Sequence, residues 1–111
     1  MKLIAYVESG LQENIKIRIA ISLKILLQKS KLLTKDEKDL VGNSYNTIAL
    51  NAGIRKATVT DIFNAKSSPN ATTLFLIIEA MGHKLNDFSK IYDSLRDREI
   101  QDFKKKKTSQ S

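Results

Sequence analysis

A chain of 111 residues that is 41% hydrophobic holds enough apolar material for one core and not for two. It has no cysteine and one histidine, His83, which excludes disulfides, thiolate metal sites and any histidine metal cluster. A formal charge of +7 favours a polyanionic partner, nucleic acid before others.

The charge is uneven. Residues 1–43 carry a net +3, residues 44–88 only +1, and residues 89–111 again +3. The opening "MKLIAYVESG" is too short for a signal-peptide core and lacks a small-residue cleavage pattern. No stretch approaches the ~18 apolar residues of a membrane span. A soluble cytoplasmic protein is expected, with no membrane partner.

In chain order, "KLIAYV" reads as a short strand or an arm. Ser9 and Gln12 have capping-box spacing, so a helix can start near Gly10 or Leu11. "IKIRIAISLKILL" alternates like a strand, yet Ile15, Ile19, Leu23, Leu26 and Leu27 share one helical face. Its length favours a helix over about 11–30, with a strand as the alternative. "TKDE" at 34–37 is a second capping box, predicting one or two turns before Gly42 and Asn43.

From Ser44 the punctuation is clear. Ser44 can cap a helix through Ala52, with Ile48 and Ala49 inward, and Gly53 supplies a stop at positive φ. A helix over about 56–64 follows, with Val59, Ile62 and Phe63 as its apolar stripe. "KSSPN" is a turn, Asn70 a cap for "ATTLFLIIEAM", and Gly82 its stop. Leu85, Phe88, Ile91, Tyr92 and Leu95 suggest a last helix from near Asn86 towards Ile100 or Phe103. Residues 104–111, "KKKKTSQS", read as a disordered basic tail. The expectation is an all-α domain of four or five helices: an extension over 1–43, a domain over 44–103, and that tail.

Two short helices joined by a glycine turn are characteristic of a helix-turn-helix. Ile48, Ala49, Ala52, Gly53, Ile54, Val59 and Ile62 match its demands at fixed spacing: a small residue at the crossing, a glycine at the reversal, and an apolar seam. "SYNTIALNAGIRKATVTDIFN" followed by "KSSPNATTLFLIIEAMGHKLNDF" resembles the helix-turn-helix domain of the lambda-repressor-like, or XRE/Cro/C1, family. The resemblance covers residues 44–88. Two features depart from the family pattern. Arg55 stands where a Ser or Thr cap is common, and the stretch before Ser44 is longer than usual.

The resemblance implies that the helix near 56–64 enters a major groove. Arg55, Lys56, Ala57, Thr60, Asp61 and Asn64 are then the base-reading candidates. Lys56 suits guanine, Ala57 and Thr60 a thymine methyl, Asn64 adenine or a phosphate, and Asp61 the cytosine amino group. Ser44, Tyr45, Asn46, Lys66 and Ser67 are the phosphate candidates, with Ser68 beside them.

Each has a blander reading. Lys56, Thr60 and Asn64 would be a solvated helix face without the flanking motif, Arg55 a surface arginine, and His83 a loop residue. The apolar residues Tyr92, Leu95, Ile100 and Phe103 suit a core or a dimer interface.

No cofactor or metal is implied, and no catalytic constellation is visible. The leading expectation is a sequence-specific DNA-binding regulator, a homodimeric repressor on double-stranded DNA. The competing expectation keeps the fold but binds a protein, such as a toxin with this chain as its antitoxin. The weak central charge and Asp61 motivate that alternative.

Overall fold

A computed structural model describes residues 2–32 and 44–109. The described residues form six helices and no strand. They are α1 (Lys2–Lys31), α2 (Tyr45–Ala52), α3 (Lys56–Phe63), α4 (Ala71–Ala80), α5 (Leu85–Ser94) and α6 (Asp97–Ser109). The turns expected over 34–43 lie outside the described residues.

The N-terminal strand and the helix start near Gly10 are both corrected. α1 is helical from Lys2, so Gly10 lies inside it and the Ser9–Gln12 pair does not begin it. A strand at 2–7 would find no partner for its backbone groups, whereas a helix satisfies them internally. An interior glycine costs about 1 kcal/mol, too little to stop a helix of this length.

The C-terminal half of α1 completes the core. Leu23, Leu26 and Leu27 are buried together with Ile48 and Ala49 of α2, Val59, Ile62 and Phe63 of α3, and Ile77 and Ile78 of α4. Phe88 and Ile91 of α5 close the same cluster. Each of these large side chains contributes roughly 1.5–3 kcal/mol on burial.

Helices α2, α3 and α4 stop in the same way. The residue after each helix's last carbonyl-bonded turn is left-handed: Gly53 at φ 71°, Ala65 at φ 58° and Gly82 at φ 79°. The next amide then reaches back five residues: Ile54 N–H to Ala49 O, Lys66 N–H to Asp61 O, and His83 N–H to Ile78 O. This Schellman pattern satisfies carbonyls the helix ends would otherwise orphan. Glycine suits the position at Gly53 and Gly82. Ala65 tolerates it because its methyl is buried against Ile17, Ala20 and Ile100, a second small apolar cluster.

The last helix also differs from expectation. It divides at Leu95, whose ψ of 139° leaves the helical region. The Glu99 carboxylate accepts the Arg96 N–H at 2.9 Å and starts a new helix. That bend brings Ile100 onto α1 at Ile17 and Ala20, with Phe103 alongside. α6 then continues to Ser109, so the lysine run at 104–107, expected as a disordered tail, is helical.

Candidate nucleic-acid interface

The α2 start is built by Ser44. Its extended backbone (φ −148°, ψ 161°) lets Oγ accept the Thr47 N–H at 3.1 Å. The hydroxyls of Ser44 and Thr47 are 2.9 Å apart, so one donates to the other. Tyr45 follows, half-buried, with its ring centroid 4.7 Å from that of Phe63. Burial pushes the Tyr45 hydroxyl above its ordinary pKa, so it stays a neutral donor at physiological pH.

Helix α3 begins without a side-chain cap. Arg55 occupies the N-cap position in an extended conformation (φ −75°, ψ 144°) and makes no capping hydrogen bond. An arginine has no acceptor to offer. The first amides of α3 are thus left to solvent or to a ligand, next to an exposed guanidinium.

The two faces of α3 separate as the periodicity predicts. Val59, Ile62 and Phe63 are buried. Lys56 and Ala57 are exposed, and Thr60, Asp61 and Asn64 half-buried. These five share the opposite face by their spacing. The Thr60 hydroxyl donates to the Lys56 carbonyl at 3.0 Å, which turns its methyl group away from that bond. Asn64 is the C-cap of α3 (φ −99°, ψ 10°), so it stands at the far end of this face from Lys56. Among the described residues no ion pair involves Asp61.

Ser44, Tyr45, Asn46 and Lys56 come together in one open groove of about 460 Å³. Lys66 and Ser67 do not join them. They are exposed beyond the Ala65 turn, at the other end of α3. The groove also draws in Lys24, Leu27, Gln28 and Lys31 from α1, which the sequence reading did not select. No local signal marks them, because their proximity to Ser44 is a consequence of tertiary packing.

His83 is structural in its contacts. Its Nε2 is 3.2 Å from the Leu26 carbonyl and 3.2 Å from Ser30 Oγ. A carbonyl only accepts, so Nε2 carries the proton.

Residues 35–88 match the helix-turn-helix family model, of the XRE or lambda-repressor-like type. This segment is a helix-turn-helix domain. The family is one of DNA-binding regulatory domains. The match starts ahead of the Ser44 boundary read from the residues, and α1 lies outside it. No curated protein and no solved structure matches the chain. Among the described residues no helix is long and apolar enough to cross a membrane.

Proposed function

We propose that the chain is a sequence-specific transcriptional regulator, a homodimeric repressor that reads a major groove of double-stranded DNA with α3. The observation that carries this reading is the uncapped, exposed start of α3 beside the groove at Ser44. A polar helix face, held from behind by Val59, Ile62 and Phe63, ends in amides open to a ligand. Arg55, Lys56, Ala57, Thr60, Asp61 and Asn64 are assigned to bases. Ser44, Tyr45, Asn46, Lys66 and Ser67 are assigned to phosphates on either side. Asp61 belongs opposite an exocyclic amino group, where a carboxylate accepts rather than repels.

The homodimer is supported by apolar surface away from α3. Ile15, Ile19, Leu74, Leu85, Phe88 and Tyr92 line a groove of about 530 Å³. Ile15 and Leu85 remain 47% and 49% exposed, which is costly for a lone chain. The same groove is the feature that supports the second reading, a protein partner in place of a second copy. Sedimentation of purified protein separates the two, since a self-dimer needs no other chain.

A mobility-shift titration against DNA from upstream of the protein's own gene tests the main reading. A specific complex that weakens with salt is expected. Unchanged affinity and preference in both Lys56→Ala and Asn64→Ala would remove α3 from the reading role.

A further inference from the structure

The groove at the start of α2 has two walls, and only one belongs to the helix-turn-helix segment. Ser44, Asn46 and Lys56 supply one wall, while Lys24, Gln28 and Lys31 of α1 supply the other. Three lysines, two amides and the hydroxyls of Ser44 and Tyr45 line it, and among the described residues no carboxylate does. On α1, Lys24, Gln28 and Lys31 follow one another at spacings of four and three, so they form one stripe along the helix. The stripe is held in register because Leu23, Leu26 and Leu27 are locked into the core behind it.

Such a surface fits a chain of phosphates better than a single anion. The cations are spread along a helix rather than focused on one point, and the groove is open rather than enclosed. The Lys24 ammonium itself lies over the Phe103 ring, with Nζ 5.0 Å from its centroid, so α6 holds the head of this side chain. We propose that the α1 stripe is a second backbone clamp. The sugar–phosphate strand of duplex DNA runs in this groove, gripped by Lys24, Gln28 and Lys31 on one side and by Ser44, Asn46 and Lys56 on the other. This rests on the DNA reading of α3 and extends it to a helix outside the family segment. The α1 side positions the protein on the duplex and carries no sequence information.

The test uses the full chain and a labelled mixed-sequence duplex of about 24 base pairs, titrated by fluorescence anisotropy across a KCl series. Lys31→Ala and Lys24→Gln are each expected to weaken binding about five- to tenfold near 0.1 M salt and to lower the log–log salt slope by about 1. Lys24→Arg keeps both the charge and the ring contact, and is expected to keep the slope. A single strand of the same length is expected to bind more weakly than the duplex. If Lys66→Ala lowers the slope while Lys31→Ala and Lys24→Gln leave it unchanged, DNA is bound but α1 does not hold it, and the proposal fails. If Lys24→Arg and Lys24→Gln lose equally, Lys24 acts through packing and not as a clamp. Tighter binding of the single strand would overturn the duplex assignment. Absence of salt-dependent binding in the unaltered protein would overturn the DNA reading itself.

Discussion

The Ser30 hydroxyl and the His83 ring meet at 3.2 Å across 53 positions of chain, and the contact fastens the end of α1 to the turn between α4 and α5. Ser30 is fully buried, and its Oγ also lies 3.0 Å from the Met81 carbonyl and 3.2 Å from that of Leu26. Removing either partner leaves buried acceptors short of a donor. Ser30→Ala and His83→Ala are each expected to cost about 1–3 kcal/mol. Together they should cost less than the sum, because they break one network. Urea denaturation of both single variants and the double variant measures this.

Next to this contact stands Asp87, the helix-starting carboxylate of α5. The Lys84 backbone N–H, donated at 2.8 Å, holds its carboxyl below the ordinary value, and the His83 ring adds in the same direction. Because the folded pKa is the lower one, this stabilisation is complete above the unfolded value of about 4 and is lost as pH falls through the folded value. Thermal melts from pH 5 downward are expected to fall more steeply for the unaltered protein than for Asp87→Asn. Parallel curves would show that the hydrogen bond adds nothing linked to protons.

The same substitution at two glycines should act with opposite sign. A methyl group at Gly10 or at Gly53 would meet no atom within 4 Å. Gly10 lies inside α1, so Gly10→Ala is expected to stabilise by about 0.5–1 kcal/mol. Gly53 sits at φ 71°, so Gly53→Ala is expected to destabilise by about 1–2 kcal/mol through the backbone alone. Ala65 already bears that cost, offset by its buried methyl. Ala65→Val adds branching at positive φ and is expected to lose about 2–4 kcal/mol. Chemical denaturation of the three variants ranks them.

Helix α1 is expected to be required for the fold of the helix-turn-helix segment. Leu26→Ala should cost about 2–5 kcal/mol, since the side chain is fully buried at the centre of the shared cluster. A fragment starting at Ser44 loses Leu23, Leu26 and Leu27 from the core and is expected to show little cooperative unfolding by circular dichroism.

Much of the helix-turn-helix was legible because its signals are local. Ser44 and Asn70 cap through their own oxygens, Gly53 and Gly82 turn through their own φ, and Val59, Ile62 and Phe63 mark one face of a single helix. The misses are tertiary in origin. Nothing near Ala65 announces a left-handed turn, since the reason for it, contact with Ile17 and Ile100, is distant in sequence. The break at Leu95 has no glycine or proline. Its signal was the Arg96–Glu99 spacing, a capping pattern with a cation in place of the hydroxyl. The N-terminal helix was undecidable by pattern alone, since alternating isoleucines fit either period. The α1 wall of the groove escaped for the same reason as Ala65: Lys24, Gln28 and Lys31 are placed beside Ser44 by packing.

Whether α3 reads base edges is decided by selecting DNA from a random pool with the purified chain. An enriched motif is expected in two inverted half-sites with centres about one helical turn apart, roughly 10 base pairs. Positions within each half should lose their preference in Lys56→Ala and Asn64→Ala. A pool that stays random under conditions where the chain binds duplex DNA, or a motif those variants leave intact, would contradict base reading by α3.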